Sequence, residues 1–266
     1  MTRSRGLRLL LALVVIELLI AILGPFVAPH GPNSYTGASF LGSTTGHLFG
    51  TDADGRDVLS RVLWGGRSII GLATAATVLA YVIGGSIGLL AGYRGGFLDG
   101  ALMRAMDVLL AFPTLLFVLL LAAGIGAGAT TIVIGVAALN VPGVARIVRA
   151  ATLDISVRGY VEAAVARGER TSAILRREIL PNIATVVAAD GGVRFTGSFL
   201  AIAGLNFLGI GIQPPAADWA TMVAENRSYI SLQPWAVAAP ALCIAIFTIT
   251  VNLGADALVR VRDQSA

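Results

Sequence analysis

Apolar positions along this chain run together instead of alternating with polar ones. Six stretches stand out: Leu7 to Val27, Ser68 to Ala91, Ala101 to Ala123, Thr130 to Ile147, Ile183 to Leu205 and Ala236 to Leu258. Each is about 18 to 24 residues long, enough to cross a hydrocarbon core of roughly 30 Å as a helix. The pattern predicts an all-α integral membrane protein with six transmembrane helices.

Polar segments join these runs. A long loop covers Ala28 to Arg67, a charged stretch Arg146 to Pro181, and a Pro/Gly-rich loop Asn206 to Trp235. The parse is an N-terminal anchor helix and loop (1–67), a core (68–258) containing a charged segment (150–181), and a polar tail (259–266). Within the first loop, Asp54-Gly55 marks a turn, and the apolar face of Val58, Leu59, Val62 and Leu63 beside Trp64 predicts a short interfacial helix.

Composition agrees with the membrane class. The 266 residues are 56% apolar and 13% charged, against about 45–50% and about 25% in soluble domains. All 19 basic residues are arginine. With the N-terminus in the cytoplasm, 14 arginines fall on that side and four on the other: Arg56, Arg61, Arg67 and Arg227. Arg194 lies inside the fifth run. This bias orients both termini inside and requires an even number of spans. It also accounts for the net charge of +4 without a nucleic-acid partner; the expected contact is membrane lipid. Three arginines precede a first run longer than a signal core, and no small-x-small cleavage site follows, so an uncleaved anchor is expected.

Several features leave two readings open. Gly84, Gly88 and Gly92 recur every four residues, either as a contact for a partner helix or because glycine is common in membrane helices. Glu17, in the first run, either meets a partner subunit or snorkels to the interface. Asp190 and Arg194 stand four residues apart inside the fifth run, so the two charges face each other. They either line a translocation path or form a structural pair. Cys243 reads as packing. His30 and His47 lack the spaced companions of a metal site and read as loop residues; no metal is expected.

Glu162 to Pro181 is charged and yet patterned. Val161, Ala164 and Val165 share one helical face, Gly168 permits a turn, and Ile174, Leu175 and Ile179 resume an apolar stripe before Pro181 opens the next span. This predicts two short helices suited to a groove on a soluble partner.

Glu162-Ala163-Ala164, then Gly168, then Leu180-Pro181 resembles the EAA signature of ABC importer permeases. Further matches are similar to the dipeptide, oligopeptide and nickel permease family, C-type subunits. They include Phe49-Gly-Thr-Asp52, Gly55-Arg-Asp-Val-Leu-Ser-Arg61, Asp107 with Phe112-Pro113, Arg146 with Arg149, Phe207-Leu-Gly-Ile-Gly211, Pro214-Pro215, Trp219 and Asp256. The chain departs from the pattern at Gly159 and Glu178, where the family commonly has Asp and His, at Ile202, and in its tail.

The resemblance implies a type I ABC importer permease fold in the bacterial inner membrane. It implies a B-type permease as the second half of the pore, two ATPase subunits, and an external substrate-binding protein. Glu162, Ala163, Ala164 and Gly168 would contact an ATPase, with Leu180 and Pro181 setting the start of the fifth helix. The implied cargo is a di- or oligopeptide, with nickel chelates, glutathione or haem as alternatives in the same group. The external loop would dock the binding protein or cap the bundle.

The phosphate-binding loop Gly-x-x-x-x-Gly-Lys-[Ser/Thr] needs a lysine, and the chain has none. ATP and Mg therefore belong to partner chains, and no cofactor is expected in this one. Intramembrane hydrolysis is excluded because both histidines lie outside the runs. A stand-alone channel or secondary transporter is the rival class and would act without partners.

Overall fold

The computed structural model describes the backbone of residues 2–263 and the side chains of residues 12–255. The side chains of Arg3, Arg5, Arg8, Asp256, Arg260 and Arg262, used in the sequence reading, lie outside that range. The helices are α1 (Thr2–Val27), α2 (Val58–Arg94), α3 (Gly96–Leu110), α4 (Thr114–Ile125), α5 (Ala129–Ser156), α6 (Gly159–Ala166), α7 (Thr171–Ile174), α8 (Leu180–Phe207), α9 (Trp219–Asn226) and α10 (Trp235–Asp263). Among the described residues, Val58–Arg94, Ala129–Ser156, Thr171–Phe207 and Trp235–Ala255 are each long and apolar enough to cross a membrane. The pair α3 and α4 qualifies together as one broken span. Ala12–Val27 is a shorter apolar helix.

Three expectations change. The interfacial helix predicted near Trp64 is the beginning of α2, which runs unbroken for 37 residues. Asp57 starts it by accepting a hydrogen bond from the Ser60 backbone N–H at 2.8 Å, satisfying a donor that has no partner within the helix. The run Ala101 to Ala123 is two helices bent by 86°. Pro113 offers no N–H and disfavours helical backbone at Phe112, so the chain turns there. Finally, the loop after the fifth run contains α9, whose N-cap Asp218 accepts from the N–H groups of Ala220 and Thr221.

The glycine stripe packs inside this chain. A Cβ on Gly84 would stand 2.6 Å from the Val141 carbonyl oxygen, on Gly88 2.5 Å from that of Ala145, and on Gly92 2.8 Å from that of Arg149. Both sets advance by four residues together, so α2 and α5 run parallel with backbones in contact. Small residues make this approach possible where no hydrophobic drive operates between helices in lipid.

Other neighbours run antiparallel. Thr77 meets Ser198 and Tyr81 meets Asp190 between α2 and α8. Phe199 packs tilted against Phe247 between α8 and α10, at 4.8 Å between ring centroids. Thr250 on α10 donates to Glu17 on α1 at 2.6 Å. Glu17 is therefore bonded within the bundle. Ile69, Ala73, Ile132, Val144, Ile202 and Phe247 build the core where these helices meet. Apolar side chains such as Ile22, Leu116 and Leu120 face outward.

Candidate functional site

Two regions carry the chemistry singled out by the sequence. The first is the hairpin between α5 and α8. Arg158 is extended and begins α6. Val161 and Ala164 turn inward and are buried, while Glu162, Ala163, Val165 and Gly168 are exposed. Val165 thus leaves the apolar face expected of it. Of the six residues of the EAA pattern, Ala164 packs against the body of the chain, while Glu162, Ala163, Gly168, Leu180 and Pro181 lie on its surface.

Gly168 ends α6. Its φ is +74°, and a Cβ there would meet nothing within 4 Å, so the glycine is required by backbone conformation and not by space. The Gly168 N–H donates to the Val165 carbonyl, and the Glu169 N–H to that of Ala164. Ile174 and Ile179 re-enter the core. Between them the backbone widens into a π turn over Leu175–Ile179. Pro181 follows in continuous helix, and the wider turn accommodates its missing N–H.

The second region is a polar row along α8. Asp190 Oδ2 accepts from the Tyr81 hydroxyl at 2.5 Å and from Arg194 Nε at 3.2 Å. The Arg194 guanidinium lies over Gly143 of α5, where a side chain would collide with it. Ser198, one further turn along, is bonded by Thr77 at 3.1 Å and by Asn140 at 3.3 Å. Thus α2, α5 and α8 meet at a line of hydrogen bonds. Beside it runs a groove of about 430 Å³ lined by Thr77, Val78, Tyr81, Val82, Val187 and Gly191. The sequence flagged Asp190 and Arg194. It missed Tyr81, Ser198 and Asn140, whose one available signal was a polar atom in an apolar run.

The loop between α1 and α2 is a built cap. Arg56 Nε donates to Asp52 at 2.8 Å, and Arg61, fully buried, reaches Glu225 on α9 at 2.8 Å. Trp219 Nε1 donates to the Val62 carbonyl at 2.8 Å. Burial pushes the Glu225 carboxyl up, against the pull of Arg61 and Arg56. Burial also pushes Asp218 up, opposed by the backbone N–H of Thr221 and by the Asn206 and Ser68 side chains. His30 and His47, read as plain loop residues, come together beside Asp57, with ring centroids 5.5 Å apart.

Comparison with known proteins fits this arrangement. Residues 84–265 match the family described as "Binding-protein-dependent transport system inner membrane component". The di/tripeptide transport system permease protein DppC of Pseudomonas aeruginosa is 35% identical over 245 residues, covering 90% of this chain and 81% of that protein. The glutathione transport system permease protein GsiD of Pectobacterium atrosepticum is 34% identical, covering 92% of this chain and 82% of that one. Among solved structures, an inward-facing conformation of the MetNI methionine ABC transporter aligns with a TM-score of 0.61 at 17% identity. It covers 76% of this chain and 95% of the other. That likeness concerns the fold alone.

Proposed function

The chain belongs to the binding-protein-dependent transport system inner membrane components, the permeases of ABC importers, and on that premise we propose that its cargo is a di- or oligopeptide. It is not itself an enzyme; its family membership implies ATPase and binding-protein partners. The observation that carries the cargo reading is identity of 34–35% over nearly the whole chain to permeases named for di/tripeptides and for glutathione, itself a peptide.

In this reading the chain crosses the membrane six times, with both ends in the cytoplasm. The arginine bias supports that orientation. The helix directions support it too: α1 and α8 run opposite to α2, α5 and α10, as they do when α3 and α4 together cross back between α2 and α5. It pairs with a second, B-type permease and two ATPase subunits. Glu162, Ala163 and Gly168 contact an ATPase, Ala164 holds the hairpin to the core from beneath, and Leu180 and Pro181 carry the motion into α8. Asp190 and Arg194 lie beside the groove, joined to it through Tyr81, and line the cargo path shared with the second permease.

The test is ATP-dependent uptake of a radiolabelled dipeptide into liposomes holding this chain, the second permease, the ATPases and the binding protein encoded beside it. Uptake competed by unlabelled tripeptides is expected. A binding protein that takes no peptide, with uptake of a metal chelate or haem instead, rejects the peptide reading. Native mass spectrometry addresses the assembly: one second permease and two ATPases are expected, with the ATPases lost from Gly168→Arg.

A further inference from the structure

We propose that His30, His47 and Asp57 form a binding site for a divalent transition-metal ion of the zinc type. One ligand atom from each lies within 4.8 Å of the other two. His47 Nδ1 stands 3.0 Å from Asp57 Oδ1, and His30 Nδ1 stands 3.9 Å from Asp57 Oδ2. Neighbouring ligands around tetrahedral zinc, with bonds of about 2.0–2.1 Å, are separated by roughly 3.3 Å. Small side-chain rotations bring the three to that spacing. Two imidazoles and one carboxylate are a donor set that suits zinc and its neighbours and disfavours calcium or magnesium, which take oxygen.

A second observation is independent of this proximity. His30 Nδ1 is sealed from solvent and has no hydrogen-bond partner. A buried ring nitrogen in that state is costly. A metal ion in the space it shares with the Asp57 carboxylate and His47 Nδ1 uses its lone pair. Each imidazole then carries its proton on Nε2.

The surroundings hold the ligands in place. Ser60 is the hub: its hydroxyl donates to Asp57 Oδ2 at 2.6 Å and accepts from the His30 backbone N–H at 3.1 Å. The Ser60 N–H bonds the same carboxylate oxygen at 2.8 Å. Asp57 is thus fixed through Oδ2, with Oδ1 turned to His47 and His30 nearer Oδ2. The His47 N–H donates to Thr44 Oγ1 and to the Thr44 carbonyl, each at 3.1 Å. Such outer contacts orient metal ligands in known sites. Asp57 is 2% exposed and His47 13%, whereas His30 is 34% exposed, which leaves a path for the ion and room for a fourth ligand from water. The bound ion would fasten two separate turns of the loop to the first turn of α2. The site is independent of cargo and of the coupling hairpin.

The test uses the full chain in detergent, its affinity tag cleaved and its metal removed with a chelator, titrated with Zn²⁺ alone or Co²⁺ alone. One equivalent of Zn²⁺ and the visible ligand-field absorption of four-coordinate Co²⁺ are expected. Both are lost in the double variant His30→Gln, His47→Gln. Ser60→Ala, which removes the hydroxyl bond to Asp57 and keeps the backbone one, should weaken Zn²⁺ binding by about tenfold. Zinc X-ray absorption of the unmutated chain should show scattering from two imidazoles, a readout that needs no variant. Equal Zn²⁺ uptake by the unmutated and doubly substituted chains, no uptake by the unmutated chain, or a zinc shell without imidazole each overturns the assignment.

Discussion

The Tyr81 hydroxyl donates to Asp190 Oδ2 at 2.5 Å, joining α2 to α8 across 109 positions of sequence. Arg194, four residues along the same helix, bonds the same oxygen at 3.2 Å. Tyr81 adds a second donor to it from the neighbouring helix. Tyr81→Phe is therefore expected to remove one bond to a charged acceptor and lower stability by about 1.5–3 kcal/mol. Thermal unfolding in detergent measures this; an unchanged midpoint would show that the bond adds nothing.

The α2–α5 seam gives a sharper steric test. Gly88→Ala places a methyl group 2.5 Å from the Ala145 carbonyl oxygen and 2.8 Å from Val148 Cβ. The helices must separate, at about 1–3 kcal/mol. Gly71→Ala lies on the same helix in open space and serves as the neutral control. Equal midpoints for the two variants would contradict the close backbone approach.

At Gly168 the constraint is conformational. Alanine at φ +74° costs about 1–2 kcal/mol, while asparagine visits that region more readily. ATPase co-purification should fall in Gly168→Ala and recover in part in Gly168→Asn. Loss of equal size in both would mean that the residue acts through contact with the partner and not through its backbone.

Asp218 supplies a pH dependence with a definite sign. Its carboxyl is pushed up in the folded chain by burial, so folding favours the protonated form. The stability this contributes is complete below the ordinary carboxylate range and is lost as pH rises through the raised value. Asp218→Asn keeps an oxygen to cap α9 and removes the titration. The variant's thermal midpoint should gain on that of the unmutated chain as pH increases from 4 toward neutrality. Parallel curves for the two proteins would exclude the effect.

Much of this architecture could be read from residue order. Apolar runs located the four long apolar helices and the broken pair α3–α4 because hydrocarbon admits few other structures, and the EAA pattern located the hairpin. Errors arose where local signals met long-range packing. Val58 to Trp64 reads as interfacial by composition, yet its buried face belongs to α2 because Met222, Ala236 and Ala239 cover it. Phe112-Pro113 sits inside an apolar run that is continuous by composition, and only the backbone shows the bend it makes there. The polar row was half legible: charges inside a run announce themselves, whereas Tyr81 and Ser198 look ordinary until α2 and α8 are side by side. His30, His47 and Asp57 are separated by loop whose path no spacing rule gives.

The length of α2 has a mechanical meaning. At about 1.5 Å per residue its 37 residues form a rod of about 55 Å, far longer than the roughly 30 Å hydrocarbon core. One end bears the cap built around Arg61 and Glu225, and the other bears the glycine seam that clamps it to α5. With no hinge between them, Gly88 and Arg61 lie about 40 Å apart along the rod, and a tilt of about 10° at the seam sweeps the cap sideways by roughly 7 Å. The cap and α5, the helix that leads into the hairpin, are thus joined to one rod.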